Sequence, residues 1–139
     1  MKIISKENNL YLLRFSRGEE VIGGLADFCG LNNISSGYFS GIGAAKETVL
    51  SFYDLERKEY QDKKVEKDLE IASLLGNAAK MQGKMIIHCH GSFSDADMAV
   101  VAGHVKKLVV SATTEITFQS LGARIEREYD GETGLNLLK

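Results

Sequence analysis

From Val109 to Phe118 the chain changes character at every step. Val110, Ala112, Thr114, Ile116 and Phe118 fall on one parity, and Ser111, Thr113, Glu115 and Thr117 on the other. A repeat of two residues is the signature of a strand with one face on a core and the other toward water. Shorter stretches read the same way. Leu10 to Phe15 is rich in Leu and aromatics, Thr48 to Tyr53 is β-branched and aromatic, and Met85 to Phe93 has strand character. Leu69 to Leu75 reads as a short buried strand ended by Gly76-Asn77, whereas Lys58 to Val65 fits neither period. Only one segment has helical spacing. Ser16-Arg17-Gly18-Glu19 has the S-x-x-E form of a capping box. After it come Val21, Ile22, Leu25, Ala26, Phe28 and Cys29 at helical intervals, with Gly30 as a left-handed stop. The expected fold class is therefore α+β, mainly antiparallel sheet with one principal packed helix.

At 139 residues, with no linker-like stretch or repeat, the chain reads as a single domain over residues 1–139. Proline is absent, so turns must rely on Gly, Asn, Asp and Ser. Ser40-Gly41-Ile42-Gly43-Ala44 has the glycines of a nucleotide loop, but such a loop opens a helix. Thr48 to Tyr53, a few residues on, is strand-like, so a glycine bend between strands is the better account. Two cysteines are too few for a disulfide framework and point to a reducing compartment. Cys29 belongs with the apolar face of the helix. The first residues lack the apolar core of a signal peptide, and no apolar run reaches the roughly 20 residues that cross a bilayer. A cytoplasmic protein without membrane contact is expected. The formal charge is −2, and the basic pairs Lys63-Lys64, Lys106-Lys107 and Arg124 with Arg127 each have acidic neighbours. Mixed solvated faces describe this better than a phosphate-binding stripe, and no nucleic-acid-binding residue can be named.

All three histidines, His88, His90 and His104, lie in one window. In a strand, side chains two apart share a face. His88 and His90 then project together, and Cys89 points away with Ile87. Ser94-Asp95-Ala96-Asp97 has turn chemistry, and the apolar run after it makes a hairpin-like return that brings His104 beside the pair. Gly103 would let the backbone pass close to an ion or bend. Imidazole is the commonest side-chain ligand for borderline metals. Three such ligands leave a tetrahedral ion one open position. Zinc is the first expectation, with nickel, cobalt or copper as other divalent choices. Spacing alone leaves ordinary hydrogen-bonded histidines open as well. Of the nearby acids, Asp95 and Asp97 read as turn residues, and Glu115 is the candidate to orient a ligand histidine or act as a base. No catalytic Ser-His-Asp spacing, nucleophile elbow or P-loop is present.

The ordered set of motifs resembles the plants-and-prokaryotes conserved (PPC) domain in its stand-alone prokaryotic form, related to the domain of plant AT-hook proteins. The resemblance runs through Leu12-Leu13-Arg14-Phe15 with Gly18-Glu19, Ser40 to Ala44, Phe52-Tyr53-Asp54 and Leu69 to Asn77. It continues through His88-Cys89-His90, Gly103-His104, Ala112-Thr113-Thr114-Glu115 and Arg127 to Leu135. It implies an antiparallel sheet with a packed helix, a homotrimer, and a metal, usually zinc, at His88, His90 and His104. It brings a DNA-binding label but no reaction. The chain departs from the plant pattern in having no AT-hook, in Asp68 at a position basic in plant members, and in the histidine set itself. Ala102 replaces the usual first glycine of Gly-Gly-His.

Three roles compete. The favoured one is a non-enzymatic metal-binding module that recognises a small ligand, protein or DNA. A zinc-dependent hydrolase or lyase using the open metal position is the alternative. A DNA-binding regulator is the role carried by the family label.

Overall fold

The longest strand, β7 (Val100–Ser120), organises the molecule because it pairs along both edges. The structure is a computed structural model describing residues 1–139. The other elements, in chain order, are β1 (Lys2–Glu7), β2 (Leu10–Ser16), α1 (Val21–Leu31), β3 (Gly37–Asp54), β4 (Glu59–Val65), β5 (Leu69–Met81) and β6 (Lys84–Ser94), with β8 (Arg127–Tyr129) and β9 (Asn136–Leu138) after β7. All the strand ladders are antiparallel. β3 pairs with β5, β5 with β6, β6 with β7, and β7 returns to β3, so the pairings close on themselves. β1 and β2 extend the sheet from the C-terminal half of β7, and β4 extends it from β3. The architecture is the α+β type that the periodicities predict.

The helix packs on this sheet against β6 and β7. Val21, Leu25, Phe28 and Cys29, one stripe of α1, are fully buried. Phe28 meets Tyr11 and Phe118 edge to face, with ring centroids 5.1 and 5.3 Å away. Both ends of α1 differ from expectation. Glu19 does bond back to the Ser16 amide, but the helix is capped by Glu20. Its carboxylate accepts from the Ile22 and Gly23 amides and, across the gap to β7, from the Leu108 amide. The helix then runs through Gly30 to the cap Asn32, and the left-handed residue is Asn33, at φ 55°.

Three strand readings also change. The glycines around Gly41 and Gly43 do not separate two strands. They lie inside β3, where bulges bend one continuous strand, and Gly43 takes φ 148° with its α-carbon pressed on β7. β5 does not stop at Gly76-Asn77. A Cβ at Gly76 would sit 2.4 Å from both the His88 carbonyl oxygen and the Phe39 ring, so this glycine permits close packing within a strand. In β7 the alternation holds at Thr114, Ile116 and Phe118, all fully buried. It fails at Ala112, which is exposed, because the ladder to β3 bulges between Val110 and Thr114.

Candidate metal centre

The three histidines meet at the junction of β6 and β7. His88 and His90 share a face of β6, and the hairpin after Ser94 returns β7 so that His90 stands directly opposite His104. The turn is built as its residues suggest: the Asp95 carboxylate accepts from the Asp97 and Ala99 amides. The ring centroids are 5.2 Å apart for His88–His90, 5.2 Å for His88–His104 and 5.4 Å for His90–His104. One nitrogen from each ring falls within 4.8 Å of the others. Cys89 points the opposite way into the core, and burial pushes its thiol pKa up to about 12. The pleat argument therefore holds for all four side chains. A Cβ at Gly103 would come 3.1 Å from the Ser51 carbonyl oxygen, so this glycine lets β7 lie close against β3.

The chemistry of the trio suits a cation. No ring nitrogen of the three takes part in a hydrogen bond with the protein, and His104 Nδ1 is buried without any partner. Burial first, then the neighbouring imidazoles, lowers the His104 pKa to about 4. Burial also lowers that of His88, with the Arg127 guanidinium adding to the effect. Both rings are thus neutral near pH 7, the form that donates a lone pair to a metal. His88, His90 and His104 would hold such an ion. Bound there, it would supply a Lewis-acidic position open to one further ligand.

Glu115 does not join this site. It is exposed near the far end of β7, facing Arg14 on β2 and Ile42 on β3, away from the row that holds His104 and His90. The carboxylate whose charge His104 feels is Asp62 on β4. Ser51 Oγ donates to Asp62 at 2.7 Å, and Lys106 Nζ pairs with it at 2.7 and 3.0 Å. Asp62, Ser51, His104 and His90 lie in one register row across β4, β3, β7 and β6. Tyr60, also on β4, packs its ring 5.2 Å from that of His104, and Lys106 caps the Tyr60 face at 4.6 Å.

The C-terminal hairpin β8–β9 forms the other wall. Tyr53 OH donates to the Thr133 carbonyl and Lys58 Nζ to the Gly131 carbonyl, which pins the hairpin turn to the β3–β4 end. Arg127 at the start of β8 donates to the Asn136 carbonyl at 2.9 Å and to Asn77 Oδ1 at 2.5 Å. Between hairpin and sheet lies a cavity of about 270 Å³ that includes His88, His104 and Arg127 in its lining. Sequence reasoning passes over Tyr60, Asp62, Asn77 and Arg127 as site residues. Arg127 enters that reading in a basic pair with Arg124 and in the last family-like motif, and Asn77 in the motif from Leu69 to Asn77, but neither as a site residue.

Residues 4–122 match the model of the Plants and Prokaryotes Conserved (PCC) domain. The chain belongs to this family. Solved structures agree along nearly the whole length of this PCC domain. A plant- and prokaryote-conserved protein from Pyrococcus horikoshii is 30% identical with a TM-score of 0.88, over 94% of this chain and 90% of its own. A metal-containing protein from Archaeoglobus fulgidus is 32% identical with a TM-score of 0.86, over 99% and 98%. A protein from Bacteroides thetaiotaomicron, whose DNA-binding name is provisional, is 30% identical with a TM-score of 0.93, over 97% and 94%. No curated protein matches the sequence. No helix is long and apolar enough to cross a membrane.

Proposed function

We propose that this PCC domain is a metal-binding recognition module. It holds one divalent transition metal, zinc in the first instance, on His88, His90 and His104. The observation that carries this reading is the convergence of three imidazoles whose nitrogens have no other hydrogen-bonding work. The metal-containing relative from Archaeoglobus fulgidus supports it. The fourth position serves ligand capture rather than turnover, because Asp62, the carboxylate nearest in effect, is held by Lys106 and Ser51. The test is elemental analysis of protein purified without a histidine tag. One metal per chain is expected, lost in a His88→Ala/His90→Ala double variant. Wild-type protein that takes up no zinc at micromolar concentration would defeat the reading. A zinc-dependent hydrolase or lyase becomes the better description only if a broad activity screen finds turnover that disappears with those two histidines.

The same reading includes a homotrimer in the cytoplasm with a DNA-associated role. Leu12, Ile42 and Leu75, all exposed, line a groove of about 330 Å³, with Leu75 beside His90 in the β5–β6 ladder, and this groove suits self-association. Sedimentation equilibrium should give three times the mass of 15.3 kDa. DNA contact should show as an affinity for duplex DNA that falls steeply with salt; a flat response would remove it.

A further inference from the structure

The cavity beside the histidine trio contains a cation with no counter-charge. Arg127 makes hydrogen bonds only to neutral acceptors, the Asn136 carbonyl and Asn77 Oδ1, and forms no ion pair with any carboxylate. Its Nε is buried and has no partner at all. A guanidinium carries five donors and stays charged in proteins, so about three of its hydrogens are uncommitted. Arg127 is half-buried, and withdrawing even part of such a charge from water carries a cost unless an anion or further acceptors satisfy it. No acidic side chain lines the cavity. A metal on the adjacent histidines would add positive charge to the same space. The remaining walls are largely apolar: Ile86, Ile87, Leu135, Leu137 and the Tyr60 ring.

We propose that this cavity is the binding site for a small organic carboxylate. Its carboxyl group is received by Arg127 and its apolar body lies among Ile86, Leu135 and Leu137, with an oxygen reaching toward the His88–His104 side. The inference rests on the metal-binding reading for that second anchor, while the Arg127 anchor stands by itself. A volume of about 270 Å³ admits a short acid rather than a nucleotide or a peptide. Inorganic phosphate is a poorer match. Its doubly charged form needs donors around all its oxygens, and the apolar walls supply none. A molecule that is anionic at one end and aliphatic at the other meets both kinds of wall.

The experiment is calorimetric titration of the zinc-loaded and metal-free protein with isovalerate, its neutral isostere isovaleramide, and inorganic phosphate. Isovalerate should bind at least tenfold more tightly than the amide and than phosphate. Arg127→Met should abolish that preference, whereas Arg124→Met, an exposed arginine of the same segment paired with Glu126, should keep it. If Arg127→Met does not fold, the Nε–H resonance of Arg127 in the wild-type protein decides: isovalerate should shift it and isovaleramide should not. Equal binding of acid and amide, tighter binding of phosphate, or an unmoved Nε–H signal would overturn the proposal. Metal content is measured on the same samples. Absence of metal would defeat the metal reading, while the acid–amide difference still decides this one.

Discussion

Two of the buried polar atoms that lack a partner lie on the same strand: Thr114 Oγ1 and His104 Nδ1. Thr114 stands between Phe15 of β2 and Gly43 of β3, on the face of β7 that also buries Ile116 and Phe118. His104 stands opposite His90, with His88 and Tyr60 also at ring-contact distance. The first atom has nothing convergent around it, and the second is one of three converging donors. An unmet polar atom marks a functional position only where neighbouring chemistry points to the same place. At Thr114 it is simply a modest cost carried by a well-packed core.

The largest expected effect tests whether the Thr114 end is purely structural. Phe118→Ala removes a ring that contacts Phe28 and stacks 6.2 Å from Phe39. It should cost about 3–5 kcal/mol in urea denaturation and leave zinc stoichiometry unchanged in the folded fraction. His104→Ala should do the reverse. Zinc affinity, read by competition with a chelating dye, should fall by about a hundredfold or more, near 2.7 kcal/mol. The metal-free protein should lose little stability, since that ring has no hydrogen bond to give up. A large loss of stability would make the trio part of the scaffold and remove the contrast.

A smaller effect arises from pH. The folded His104 titrates near 4 because burial disfavours its charged form, whereas an unfolded histidine titrates near 6.5. Between these values the unfolded chain binds more protons, so metal-free protein should weaken as pH falls through that window and be flat above it. Urea midpoints at pH 7.5, 6 and 5 measure the slope, and the His104→Ala variant should flatten it. The smallest change concerns Thr114→Val, which deletes the unpaired hydroxyl. It should be neutral or stabilising by about 1 kcal/mol. A clear destabilisation would mean that the hydroxyl has a partner after all.

The legible parts of this molecule are those in which one face of an element is dry. The stripe of α1 and the run Thr114–Phe118 announce themselves because burial selects every second or every third-to-fourth residue. The pairing of His88 with His90 comes from the pleat alone. β4 is opaque for the opposite reason: all its residues before Val65 are exposed, so no period is imposed on it. Ala112 misleads because it sits in a bulge between Val110 and Thr114, two buried residues of the same parity, and Gly76 misleads because a close contact and a chain break use the same residue. Glu115 shows that proximity in sequence along a long strand becomes distance in space. The cavity was hidden for a topological reason. Arg127 and Asn77 come from separate parts of the chain, and only the docking of the terminal hairpin brings them together.

The inward turn of Cys89 bears on which elements this protein can choose. His88-Cys89-His90 would offer nitrogen and sulfur together if the segment were flexible, and thiophilic ions such as cuprous copper would compete well for it. Held as a strand, the tripeptide shows only nitrogen on the side where the imidazoles gather and keeps its sulfur among hydrocarbon. The backbone conformation thereby biases the centre toward ions content with an all-nitrogen environment, and the neighbouring thiol is shielded from the redox chemistry those ions could otherwise promote.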